Sequence, residues 1–241
     1  MNFRYYFPGA LPHAGEVAFP AAAARHALKV LRLAPGDPVT LFDGSGGELR
    51  ARLDVCARKA YAVDGQWLET GDREPPLALV LAQALIGADK MDWAIQKAVE
   101  LGAAGVVPLR AARSLPRPDG ERAAKKQEHW RQTVIAACEQ CGRNRLPFVD
   151  PVQSLGAYLD RSRDAARLLL LPGGAPISTI RPAPAEPVHL LVGPEGGWSE
   201  EEQALCLRAG CRPVGLGSRI LRAETAGLAA IAALQALAGD F

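Results

Sequence analysis

Leu190–Ser199 (LLVGPEGGWS) and Leu216–Leu234 (LGSRILRAETAGLAAIAAL) decide how this chain is read. In the first stretch, Val188–Val192 is a short apolar run of the kind that forms a buried parallel strand. Ser199, followed by Glu200, Glu201 and Glu202, is a helix N-cap with an acidic first turn. Between them lies Gly193-Pro194-Glu195-Gly196-Gly197, where glycines let main-chain groups approach a ligand, Pro194 stiffens the loop and Glu195 is its only charge. Alone, this loop also fits an ordinary strand-to-helix connection.

The second stretch repeats the arrangement. Val214-Gly215-Leu216-Gly217-Ser218 follows a short strand and leads through Arg219, Arg222, Glu224 and Thr225 into a helix of Ala, Leu, Ile and Gly. Charge gathered only at the start of a helix that is otherwise apolar points to a site there. Cations at a helix N-terminus oppose the macrodipole, which favours Glu224 instead, so Arg222 needs another reason for its position. A mutual Arg222–Glu224 pair or a helix cap is the structural alternative. The glycines match neither the dinucleotide fingerprint nor the Gly-x4-Gly-Lys-Ser/Thr phosphate loop, and the loops contain no lysine. Their apolar flanks suit adenosine or another flat, largely neutral group.

Outward from these loops, punctuation sets the organisation. Up to about residue 72 the chain shows short β-rich runs (Pro38–Asp43, Glu48–Val55, Ala60–Val63, Gln66–Glu69) separated by glycine turns, with one helix over Ala21–Leu33. Gly71-Asp72-Arg73-Glu74-Pro75-Pro76 reads as a linker. From Leu77 strands alternate with helices: Leu77–Leu85, helix Lys90–Leu101, Gly105–Leu109, helix Glu121–Cys141, Leu168–Leu171, Val188–Val192, helix Glu200–Ala209, Pro213–Gly215 and helix Glu224–Leu237. Alternation predicts an α/β fold with a mostly parallel sheet, preceded by a small β-barrel. The expected domains are residues 1–72 and 73–241.

A chain of 241 residues with 49% hydrophobic content supports one large or two small domains. The apolar run Leu77–Leu85 is too short to span a bilayer, and Met1-Asn2-Phe3-Arg4-Tyr5-Tyr6 lacks a signal-peptide core, so a soluble, cytoplasmic protein is expected. Five cysteines form no disulfide framework. Cys138-x-x-Cys141 lacks a convincing second pair for zinc and falls inside a predicted helix, so reduced thiols and no metal are expected. Net charge is only +2, but Arg110 to Arg145 carries +5 and the remainder −3. The basic residues there (Arg110, Arg113, Arg117, Arg122, Lys125, Lys126, Arg131, Arg143, Arg145) carry the electrostatic signature of phosphate contact, although a solvated helix face fits Arg122 to Arg131 as well.

Together with Ala136-Ala137-Cys138-Glu139-Gln140-Cys141-Gly142-Arg143-Asn144, and Asp89-Lys90-Met91 through Glu100-Leu101-Gly102, the two glycine stretches resemble the ribosomal RNA small subunit methyltransferase E family. This is part of the SPOUT class of knotted methyltransferases. Four separated motifs occur in the family's order, and His26–Leu33 with Leu41-Phe42-Asp43-Gly44 resemble its small PUA-like barrel domain. Ile86 and Ala112 depart from the pattern, standing where a basic and an acidic residue are usual.

The resemblance implies methylation of N3 of one uridine in the decoding region of 16S ribosomal RNA. It further implies S-adenosyl-L-methionine held in a C-terminal trefoil knot, and a homodimer acting on the RNA or the small subunit. Deprotonated uracil N3 spreads charge onto the flanking carbonyls, so the site needs a proton acceptor and a cation. Arg222 is the candidate cation and Glu224 the candidate base, with Glu195 second. The cofactor pocket is expected from Leu170, Leu171, Pro172, Leu191, Gly193, Pro194, Gly196, Gly197, Leu216, Gly217, Ile220, Leu221, Arg222, Thr225 and Ala226. Expected RNA contacts are Arg4, Arg25, Lys29, Arg32 and Arg113, with Glu139, Gln140, Arg143 and Asn144 holding the flipped uridine; His26 fits docking or core packing. A ribose 2′-O-methyltransferase would end in a Ser-Leu-Asn segment that is absent here. A cofactor-free assembly factor is the alternative from another class, against which the glycines at 193, 196, 197 and 217 speak.

Overall fold

A computed structural model describes residues 3–57, 59–69, 73–115, 118–182 and 186–241. Met1, Asn2, the Gly71-Asp72 half of the expected linker and Arg117 lie outside the described residues. The chain forms two compact units, Met1–Glu74 with Cys138–Leu146, and Pro75–Ala137 with Pro147–Phe241.

The first unit contains β1 (Phe3–Tyr6), β2 (Val17–Ala18), α1 (Ala21–Arg25), β3 (Pro38–Phe42), β4 (Glu48–Cys56) and β5 (Lys59–Leu68). They make a five-stranded sheet in the order β1-β3-β4-β5-β2. In β4, Leu49, Ala51 and Leu53 are buried while Arg50, Arg52 and Asp54 are exposed, the period-two pattern of a one-sided strand. The buried set packs with Tyr5, Val17, Phe19, Ala27, Leu41 and Ala62.

Two expectations for this unit are corrected. Asp64-Gly65 is no turn between strands but an irregularity inside β5: Asp64 takes φ 53°, and the register with β4 shifts between Arg50 and Arg52. The helix expected over Ala21–Leu33 is α only to Arg25, then widens into π turns over His26–Val30, with Arg32 beyond it at φ 55°.

The second unit runs β6 (Leu79–Ala84), α2 (Ala88–Glu100), β7 (Ala103–Arg110), α3 (Gly120–Cys141, its last turn assigned to the first unit), β8 (Phe148–Val149), β9 (Gln153–Ser154), α4 (Leu155–Arg161), β10 (Ala166–Pro176), β11 (Val188–Val192), α5 (Glu200–Arg208), β12 (Arg212–Gly215) and α6 (Ala223–Ala238). The sheet order is β12-β10-β11-β6-β7-β8, with β9 also beside β7, and the pairings described are parallel. All six residues of β6 are buried, as a strand covered on both faces requires. From β6 the chain builds outward through β7 and then returns to the opposite side through β10, β11 and β12, so the strand order reverses beside β6. Ligands in parallel α/β sheets bind beyond the strand carboxyl ends at such a reversal.

Helix α6 packs on α2, β6, β11 and the 3₁₀ turn Ile177–Thr179 that follows β10. Its approach to the sheet is close at Gly227, where a Cβ would meet Leu81 Cδ1 at 3.0 Å.

Candidate active site

The carboxyl ends of β10, β11 and β12 and the start of α6 enclose a cavity of about 660 Å³. Leu170, Leu171, Val192, Val214, Leu216 and Leu221 give it apolar walls, and main chain from both glycine loops completes it. This size suits one nucleoside-sized ligand.

The loop after β11 is held from several sides. Glu195 accepts hydrogen bonds from Lys90 Nζ (3.1 Å) and the Gly87 N–H (3.3 Å). Arg113 Nη1 donates to the Gly196 carbonyl at 2.8 Å. Gln83 Nε2, from β6, reaches the Ala84 carbonyl at 3.0 Å and the Gly193 carbonyl at 3.4 Å. The loop then enters α5 through a capping box in which Ser199 and Glu202 bond each other's backbone N–H, at 3.2 and 2.9 Å. Gly197 at φ 70° provides a left-handed turn that residues with a Cβ rarely adopt.

The loop after β12 is open by contrast. Gly217 sits at φ 85° with nothing near its would-be Cβ, and Ile220 is 86% exposed at the rim. Arg222 is the N-cap of α6 but its side chain caps nothing. Arg219 and Arg222 form no ion pair among the described residues, so the expected alternative of an Arg222–Glu224 pair is not realised. Glu224 is 9% exposed in the first turn of α6, and its Oε2 is buried without a partner among the described residues.

The two carboxylates proposed as base therefore differ. Burial would raise Glu195, but the hydrogen bonds from backbone N–H groups and from Lys90 outweigh it and hold its carboxyl below the ordinary range. Glu195 clamps its loop; Glu224 has no such partners among the described residues and does not line the cavity.

Of the residues expected to hold the cofactor, Leu170, Leu171, Pro172, Gly193, Pro194, Gly197, Leu216, Gly217, Ile220, Leu221, Arg222 and Ala226 line the cavity together. Leu191, Gly196 and Thr225 do not. Leu191 belongs to the core beneath, and Gly196 faces Arg113, whose Cβ stands 3.3 Å from where a Gly196 Cβ would be. Lys90, Arg113, Trp198, Gln203 and Arg219 line it as well. Trp198 is 3% exposed, and its indole N–H has no partner among the described residues. Gln83 was also missed, although a lone polar residue inside the apolar run Leu79–Ala84 is a visible signal.

Among the expected RNA contacts, Arg25, Lys29, Arg32, Arg113 and Gln140 are exposed. Arg4, Arg143 and Asn144 are a correction: they point into the first unit. Arg4 bonds Glu48 at 2.7 Å and also Asn144, Asn144 bonds Glu48 at 3.2 Å, and Arg143 bonds Glu74. Glu139 accepts the Tyr6 N–H at 2.9 Å, with its carboxyl raised chiefly by burial. These four brace the unit, with Arg4 paired to the buried Glu48 and Arg143 to the partly buried Glu74 instead of reaching outward. All five cysteines are free thiols, and burial pushes Cys138 up to about 12. Among the described residues no cluster of His, Cys, Asp and Glu is grouped to hold a metal, and no helix is long and apolar enough to cross a membrane.

Comparison with known proteins agrees with this geometry. A family model described as an RNA methyltransferase domain matches residues 73–235, and one described as an RNA methyltransferase PUA domain matches residues 19–55. The chain is 33% identical to ribosomal RNA small subunit methyltransferase E of Bacillus subtilis, across 87% of this chain and 85% of that one. It is similar to the enzyme of the same name from Neisseria gonorrhoeae, crystallised with S-adenosyl methionine, with a TM-score of 0.91 at 40% identity over the full length of both chains. It is also similar to a methyltransferase from Legionella pneumophila in complex with the same cofactor, with a TM-score of 0.91 at 34% identity over 98% of each. The chain belongs to the ribosomal RNA small subunit methyltransferase E family.

Proposed function

We propose that the protein binds S-adenosyl-L-methionine in the cavity between the glycine loops and methylates N3 of one uridine in the decoding region of 16S ribosomal RNA. The carrying observation is the start of α6, where Arg222 lines the cavity and the Glu224 carboxylate, its Oε2 without a partner among the described residues, is buried just outside the lining. The residues present fit the cofactor: apolar walls for adenine, an open backbone at Gly217 and the Trp198 indole N–H, without a partner among the described residues. When bound, the cofactor supplies a methyl group already activated on a sulfonium.

The chain's own part is to place a nucleophilic nitrogen and remove its proton. Glu224 accepts the uracil N3 proton once the start of α6 shifts enough to open its buried carboxylate to the cavity, and the Arg222 guanidinium lies over the carbonyl oxygens that gain charge. The loop held by Glu195, Lys90 and Arg113 fixes one wall while this happens. Residues 1–72 act as a PUA-like barrel docking module, with Arg25, Lys29 and Arg32 exposed towards phosphates, and residues 73–241 as the catalytic domain.

A C-terminal trefoil knot is in keeping with α6 lying against the turn that follows β10 as well as against β11 and β6. A homodimer is in keeping with Ile220, a large apolar side chain left bare at the cavity rim. The test is single-turnover methyl transfer by Glu224→Gln and Arg222→Ala proteins beside cofactor titration. A fall in rate of about 100-fold in Glu224→Gln, with cofactor binding intact, supports Glu224 as base; an unchanged rate rejects it.

A further inference from the structure

The cavity is charged in a way its cofactor alone does not explain. Its lining holds four cations, Lys90, Arg113, Arg219 and Arg222, against one carboxylate, Glu195. Lys90 pairs with that carboxylate and Arg113 is turned to the Gly196 carbonyl. Arg219 and Arg222 remain, exposed and without an ion pair among the described residues, beside the positive end of the α6 dipole. Even with Glu224 counted from behind the wall, the balance stays positive. Such a site favours anions; both cofactors bring the same amino-acid carboxylate and ammonium, and S-adenosylmethionine alone adds a sulfonium cation.

We infer that Arg219 and Arg222 set the charge specificity of this site, so that the RNA-free protein prefers the neutral product cofactor and an RNA anion abolishes that preference. The inference rests on the cofactor reading above. Two uncompensated guanidinium groups close to an extra unit charge disfavour it by on the order of tenfold in low salt, less as salt screens them. RNA phosphate, or a uracil losing its N3 proton, neutralises the same groups and removes the penalty. By linkage, the sulfonium cofactor then strengthens RNA binding more than the product cofactor does, which promotes release of methylated RNA.

Isothermal titration of the RNA-free protein with each cofactor, at low and raised salt, tests this. S-adenosylhomocysteine is expected to bind about tenfold more tightly in low salt, the ratio falling towards one as salt rises and in an Arg219→Gln/Arg222→Gln protein. Sinefungin, whose ammonium restores the cation, should behave like S-adenosylmethionine. Added oligouridylate should raise affinity for S-adenosylmethionine more than for the product. Both cofactors binding equally in low salt, or a ratio indifferent to salt and to the double substitution, overturns the inference and leaves the cofactor reading standing. Binding of neither overturns both.

Discussion

The loops after β11 and β12 begin alike, as glycine turns between a parallel strand and a helix, and end differently. The first is tied down by Lys90, Arg113 and Gln83 and closes with a capping box. The second leaves Gly217, Arg219 and Ile220 open to solvent, and its helix starts at an arginine that caps nothing. The contrast teaches a division of labour within one cavity. A wall that must keep its shape is held by charge-assisted bonds, and a wall that must meet a changing charge keeps its cations unpaired.

Substitutions in the open wall should affect chemistry and the discrimination between charged and neutral cofactor, and those in the held wall should affect overall binding and stability. The largest effect is expected from Arg222→Ala: turnover falling by about 100-fold or more, with cofactor affinity changed less than about threefold, measured by single-turnover methylation beside calorimetry. Full activity in this variant would remove the assignment of the open wall.

A second effect is a pH dependence of the strand that carries the held loop. His189 in β11 bonds the Tyr158 hydroxyl at 2.6 Å, and burial, then Arg161 and Arg167, lower its imidazole to about 4. A lowered folded-state value means the neutral ring contributes stability above the unfolded value near 6.5, lost as pH falls from there through about 4. Denaturant unfolding should show a loss of roughly 2 kcal/mol over this window, absent in His189→Asn. An identical slope in both proteins would count against it.

Smaller again is Ser199→Ala, which removes one half of the capping box. It should lower stability by about 1 kcal/mol and weaken cofactor binding without altering the rate at saturation. The smallest is Lys90→Met, which breaks a half-exposed pair with Glu195. Stability should shift by less than about 1 kcal/mol, with a few-fold rise in cofactor Kd. A Lys90→Met effect larger than that of Arg222→Ala would invert the comparison.

Much of the fold was legible because the deciding signals are local. The strand Val188–Val192 was expected with the bounds observed, and the Ser199 cap is confirmed by its reciprocal bonds with Glu202. Helix α4 was missed although Ser154 caps it and Leu155, Tyr158 and Leu159 mark its buried face, because its seven residues are too few for periodicity to stand out. Strand β1 escaped for a similar reason: four residues pair in parallel with β3 from far along the chain.

The site was less legible where long-range charge pairing decides. Arg4 and Asn144 lie 140 positions apart, and no spacing could show that they meet over Glu48 instead of facing RNA. Glu224 ranked ahead of Glu195 as candidate base, although both read as lone carboxylates beside glycine loops. Only the structure shows Lys90 and the Gly87 N–H gathered around Glu195, and Glu224 buried without such partners among the described residues.

The most direct test of the account is to incubate the protein with isotope-labelled S-adenosylmethionine and small subunits lacking the modification, and to map the labelled nucleoside in 16S ribosomal RNA. The account predicts a single 3-methyluridine in the decoding region, lost in the Arg222→Ala protein. Label on a ribose 2′-oxygen, or on no nucleoside at all, would contradict it.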